Sequence, residues 1–193
     1  MTATQRQRLG IVGLGLAFEG GLAVLAVLLG WLLDEPAAAT WQWQADAVLL
    51  GLIASLPMLA GFFVSVRWPV GPLARIQAFM DEVVRPLFAP CSLLELGLIS
   101  LAAGVGEELL FRGVVQPVLA QPFGPLLGLL AASGVFGLCH LITPTYGVLA
   151  ALLGVYLGVW WLATENLLVV VVAHAFYDWV ALIYLVRYRG ADA

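Results

Sequence analysis

Long apolar runs alternate with short polar breaks along this chain of 193 residues. A helix needs about 20 apolar residues to cross the hydrocarbon core of a bilayer. The pattern predicts six such helices, near residues 9–33, 47–66, 92–119, 124–142, 145–163 and 166–186. The breaks carry turn chemistry: QPFGP at Gln121–Pro125, TPTYG at Thr143–Gly147 and TEN at Thr164–Asn166. A longer break, DEPAAATWQWQAD at Asp34–Asp46, holds two tryptophans suited to the headgroup zone. The stretch from Arg67 to Pro90 mixes apolar residues with Arg75, Asp81, Glu82 and Arg85. It predicts an amphipathic helix lying along the membrane surface between Pro72 and Pro86. The expected fold is all-α: a polytopic membrane bundle of about six transmembrane helices plus the interfacial one. Its expected parts are an N-terminal helical pair with connector (1–74), a core (75–186) and a short tail (187–193).

Composition strengthens this picture. The chain is 63% hydrophobic and 10% charged, whereas soluble domains are about half apolar and a quarter charged. The 8 basic residues are all arginine. With six crossings, Arg6, Arg8, Arg67, Arg75, Arg85, Arg187 and Arg189 fall on one side, and Asp34, Glu35, Asp46 and Glu165 on the other. The positive-inside rule then places both termini in the cytoplasm, with a bacterial cytoplasmic membrane as the expected setting. A net charge of −4, thinly spread, points to no nucleic-acid partner. The first apolar run exceeds the roughly 7–15 residues of a signal-peptide core, so it is expected to be a retained span. Cys91 and Cys139 form no paired motif and read as free, buried thiols. Gly13, Gly15, Gly97, Gly104, Gly106, Gly134, Gly137, Gly154 and Gly158 read as sites of close helix packing, and Pro57 as a kink.

The candidate chemistry lies in the polar residues inside the apolar runs: Glu19, Glu95, Glu107, Glu108, Arg112, His140, His174 and Asp178. An ionisable residue inside a bilayer is costly unless paired or hydrated, and marks a functional site by default. Glu108 and Arg112 are four apart and share a helix face, so they can pair. Glu107 projects about 100° away from Glu108 and is not served by that arginine. A carboxylate so placed is suited to general acid or base work. The chain has only 2 histidines, and both fall inside expected spans. His174 and Asp178 are again four apart, and the aspartate can fix the imidazole tautomer or bind substrate or water. Glu19 reads as a packing residue and Glu95 as hydrated at its helix entry. If the third helix continues to about Leu119, Glu107 lies roughly 18–20 Å, and His140 roughly 22 Å, from the 121–125 turn. His174 and Asp178 come roughly 12–18 Å from the Thr164–Asn166 turn. The expectation is a long third helix, kinked near Pro117, and one polar cavity built from the third, fourth and sixth spans.

The motifs Glu107-Glu108-Leu-Leu-Phe-Arg112, Phe136-Gly-Leu-Cys-His140 and His174-Ala-Phe-Tyr-Asp178 match EExxxR, FxxxH and HxxxN/D in order and spacing. They resemble the CPBP family of intramembrane proteases, also called the Abi or type II CAAX-protease family, over about residues 75–186. The resemblance implies a glutamate-dependent endopeptidase acting near the cytoplasmic face, its substrate a membrane-associated peptide or protein. It implies Glu107 as general base, with His140 and His174 positioning water or a metal and helping to stabilise the oxyanion. Asp178 stands where the family has Asn or Asp, and as a carboxylate it cannot donate to an oxyanion. Glu108 and Arg112 would hold their helix in place and contact the substrate carboxy-terminus, while Phe136 packs. Glu107, His140 and His174 also match a catalytic zinc set with an open fourth position. No HExxH is present, so the cofactor, zinc or another divalent metal, is left open.

Two other functions compete: a non-catalytic membrane immunity or scaffold protein, and a proton-coupled transporter. No inverted repeat supports the latter. The substrate, its prenylation, the cleavage site and the oligomeric state are not written in the residues.

Overall fold

The structure is a computed structural model and describes residues 2–189; residues 190–193 of the expected tail lie outside the described residues. The first two helices are α1 (Ala3–Leu32) and α2 (Ala45–Arg67). The interfacial segment follows as α3 (Pro72–Phe79), a π-turn (Met80–Val84) and α4 (Arg85–Phe88). Then come α5 (Leu93–Leu110), a π-turn (Phe111–Val115) and α6 (Gln116–Cys139). The bundle closes with α7 (Pro144–Thr164) and α8 (Leu167–Ile183), which ends in a π-turn (Tyr184–Tyr188). Among the described residues, five continuous helices are long and apolar enough to cross a membrane, the third running from Leu93 to Cys139.

That third helix is folded in two. Gly124 takes φ 79° and ψ 165°, values open to glycine but not to other residues, between Pro122 and Pro125. A Cβ on Gly128 would lie 2.6 Å from the backbone of Ala120. Eight residues along a straight helix span about 12 Å, so the two legs double back on each other. The chain therefore makes six crossings, and the turn expected at Gln121–Pro125 is present.

Hydrogen bonds identify the two ends of the bundle. At one end Arg8 pairs with Glu95 at 3.3 Å, Arg189 pairs with Asp81 at 3.0 Å, and Arg187 donates to the carbonyls of Ala89 and Cys91. This gathers the start of α1, the interfacial segment, the start of α5 and the end of α8, as the arginine pattern requires. At the other end Leu167 N donates to Thr40 O, Asn166 Nδ2 to Gln42 O, and Gln121 Nε2 to Glu35 Oε2. The Thr164–Asn166 turn forms through Glu165 in the left-handed region (φ 47°), after which Asn166 caps α8.

The core is centred on α8, which packs against α2, α5 and α7; α1 packs on α5 and α6 on α7. Glycines set how closely these helices approach. A Cβ on Gly104 would lie 2.9 Å from Ala175 Cβ on α8, and one on Gly51 would lie 2.6 Å from Val172 Cβ. Gly13 and Gly134 depart from expectation: each faces open space, on surfaces turned outward from the bundle. Cys91 is buried as expected, but Cys139 is exposed at the end of α6. Leu14, Phe18, Leu126 and Leu138 are exposed, which in a chain this apolar is the lipid-facing surface. Pro57 lies within an uninterrupted α2.

Candidate active site

Two adjacent glutamates on α5 point in different directions, as a step of about 100° per residue demands. Glu108 turns inward and is fully buried; its Oε1 accepts from Arg112 Nη1 at 2.8 Å and pairs with His174 Nδ1 at 2.7 Å. Arg112 is 2% exposed, donates through Nη2 to the Gly154 carbonyl on α7 at 2.9 Å, and lies 5.0 Å from the Phe136 ring centre. Every link in this chain carries charge and is shielded from water, so each is short and directional.

Glu107 turns toward a cavity of about 660 Å³ lined by residues of α2, α3, α5, α6, α7 and α8. The same cavity is lined by His140, His174 and Asp178. Glu107 Oε2 is shielded and has no hydrogen-bond partner. It lies 3.7 Å from His140 Nε2 and 4.0 Å from His174 Nε2, and His174 Nε2 lies 3.6 Å from Asp178 Oδ2. These gaps exceed a direct hydrogen bond. The four residues expected to share a pocket do so.

The tautomers follow from the partners. His140 Nδ1 is 2.8 Å from the Phe136 carbonyl, a group that can only accept, so Nδ1 carries the hydrogen. His174 Nδ1 faces a carboxylate oxygen already held by arginine, so it too carries the hydrogen. In both rings Nε2 therefore faces the cavity. Sequence reasoning offered Asp178 either as fixing the tautomer of His174 or as binding substrate or water; Glu108 holds the first position, and Asp178 stands at the cavity side of the ring. Substrate contact by Glu108 and Arg112 is also corrected: both are sealed behind the wall, and neither lines the cavity.

Local structure explains these positions. His140 is not inside a helix; α6 ends at Cys139 and His140 is its C-cap, with Thr143 capping α7 three residues later. The ring thereby sits at the mouth of a helix hairpin that faces the cavity. The irregularity expected near Pro117 lies just before it, as the π-turn at Phe111–Val115, whose wide turn carries Arg112. The Glu19 backbone abuts Gly106, and its carboxyl Oε2 is shielded and unpartnered. Glu95 is held in a capping box with Ser92 and paired to Arg8 rather than simply hydrated.

Sequence reasoning passed over three residues at this site. Gly154 contributes only a carbonyl, which no side-chain pattern reveals. Gln77 on α3 is 6% exposed, lines the cavity, and has an unpartnered Oε1. Tyr146, in the first turn of α7, lines the cavity with its ring centre 6.4 Å from that of His140. Its signal was available: a tyrosine six residues after the motif histidine, across a turn too short to carry it away.

Among the described residues, no group of three or more His, Cys, Asp or Glu side chains is gathered to hold a metal ion. Glu107, His140 and His174 face one another, but not as a closed ligand set.

A family model described as type II CAAX prenyl endopeptidase Rce1-like matches residues 89–180. The match spans all three motifs and bears out their family resemblance over that segment; the family is one of peptidases. No curated protein and no solved structure matches the chain.

Proposed function

We propose that this membrane protein is an intramembrane endopeptidase that hydrolyses a membrane-associated peptide or protein with a water activated by Glu107. The observation that carries the reading is the unpartnered Glu107 carboxylate oxygen facing Nε2 of both His140 and His174 in the cavity. Glu107 takes a proton from the water as its oxygen attacks the scissile carbonyl carbon. The water's second hydrogen is left for Nε2 of His140, the nearer imidazole, which fixes its direction. When the tetrahedral intermediate collapses and the C–N bond breaks, the proton on Glu107 passes to the leaving amine. Glu108 and Arg112 hold His174 in register without touching the substrate. Zinc chemistry would show itself as inhibition by chelators.

The cavity walls are largely apolar, and residues of α3 and the ends of α2 and α8 bring the opening to the arginine-rich end. That end faces the cytoplasm under the positive-inside rule, in what we take to be a bacterial cytoplasmic membrane. The family's printed substrate, a prenylated CAAX segment, is the first class to test. The full chain in liposomes is incubated with a quenched fluorogenic peptide bearing a farnesylated cysteine near its C-terminus. Cleavage by the wild type and its loss in Glu107→Gln, with unchanged folding, is the expected result. Equal cleavage by both proteins would overturn the assignment of Glu107.

A further inference from the structure

Resting on that reading, we infer that Gln77 is a substrate-binding residue whose side-chain amide pairs with the peptide backbone of an extended substrate. A largely apolar cavity sets a problem for any chain that enters it. Each backbone N–H and C=O leaves water and needs a new partner. In an extended chain the N–H and C=O of one residue point the same way. A primary amide carries a donor and an acceptor side by side and can meet both. Gln77 brings such an amide to the cavity wall.

Its position conflicts with the pattern of its own helix. Leu73, Ile76, Gln77, Met80 and Val84 form the face of the interfacial segment that lines the cavity, and Gln77 is the polar one. On an amphipathic helix polar residues belong on the wet side, where Arg75 is exposed. Gln77 is instead 6% exposed, and its Oε1 is shielded and unpartnered. The terminal amide torsion is soft and roughly two-fold, so either amide atom can turn to the cavity. A buried amide without partners destabilises the empty protein, and such conflicts between residue and fold fall at functional sites. A bound backbone resolves this one. Other polar side chains of the wall are less suited. Ser65 and Tyr156 already donate to the carbonyls of Phe62 and Ala54. Tyr146 and Tyr177 carry single hydroxyls, with no donor and acceptor set side by side. The motif residues come from α5, the α6 cap and α8, whereas Gln77 comes from α3. The amide therefore holds the substrate from a separate element and contributes affinity without selecting side chains.

The test uses the full chain in liposomes with the farnesylated fluorogenic peptide. A second series carries the same sequence with each amide other than the scissile one replaced in turn by an ester, which removes an N–H and weakens a carbonyl acceptor. If the wild type does not cleave, the peptidase reading falls and this inference with it. Where it cleaves, Gln77→Met, which keeps length and apolar packing, should raise KM about 3- to 10-fold with kcat within about twofold. One or two of the esters should raise the wild-type KM by a similar factor and leave that of Gln77→Met unchanged. The melting temperature of Gln77→Met should equal or exceed that of the wild type, because an unpartnered amide has left the wall. A rise in KM below about threefold would overturn the inference while leaving the peptidase reading intact. So would ester losses of the same size in both proteins. A lowered melting temperature would overturn it too, by marking Gln77 as a support of the fold.

Discussion

The buried chain Gly154–Arg112–Glu108–His174 makes stability and activity separable by mutation. Arg112→Met leaves the Glu108 carboxylate fully buried without its arginine. Removing one partner of a buried ion pair costs about 3–5 kcal/mol, because the survivor is an uncompensated charge. Glu108→Leu combined with Arg112→Met removes both charges and fills similar volume, so the double variant should regain most of that loss. Activity should not follow. His174 then lacks its Nδ1 acceptor, and a hydrogen bond to a charged group is worth about 1.5–3 kcal/mol. Felt fully at the transition state, that is roughly 10- to 150-fold in rate. The measurements are reversible unfolding in mixed micelles and peptide hydrolysis in liposomes. If the double variant is as unstable as Arg112→Met, the pair is not the isolated unit described. If it hydrolyses at the wild-type rate, Glu108 does not orient His174.

Four further outcomes are expected. Gly104→Val places side-chain atoms where a Cβ alone lies 2.9 Å from Ala175 Cβ; it should destabilise by about 1–3 kcal/mol and abolish hydrolysis by parting Glu108 from His174, and a variant of normal activity would contradict that packing. Excess chelator should leave the hydrolysis rate unchanged, whereas inhibition reversed by added zinc would replace the water mechanism with a metal one. Burial and the nearby Glu95 push the Cys91 thiol above its ordinary value, so at pH 8 it holds less thiolate than a free cysteine; maleimide should label it slowly in the native protein and quickly after unfolding, and equal rates would refute its burial. Reporters fused at either terminus should both read the cytoplasmic side, and opposite readings would refute six crossings.

Much of this was legible because the relevant contacts are local. Glu108–Arg112, Phe136–His140 and His174–Asp178 are each spaced by four, a separation that one helical turn enforces. The even number of crossings was legible from arginine placement, and the Gly124 reversal from its flanking prolines. The long-range links were not. Arg112 reaches Gly154 across 42 positions and Glu108 reaches His174 across 66; such pairings depend on how closely α5, α7 and α8 approach, which glycines set without advertising a partner. Cys139 and His140 were read as span interior because an apolar run gives no sign that a helix stops. The stop comes from Thr143 and Pro144 starting α7.

The paired glutamates have one physical explanation. Neighbouring helical residues cannot face the same way, so a doublet at a helix–cavity boundary must send one carboxylate into the protein and the other toward the opening. The inner one, Glu108, meets an arginine one turn on and an imidazole from α8, and is neutralised as a rigid support. The outer one, Glu107, receives no arginine and keeps an unpartnered oxygen against the histidines. Exchanging the two environments would take a rotation of α5 by about 100°, which the close contact of Gly104 with α8 forbids. The division of labour is therefore a property of helix geometry and packing. Glu107→Gln and Glu108→Gln should accordingly fail differently: the first in turnover with stability retained, the second in both.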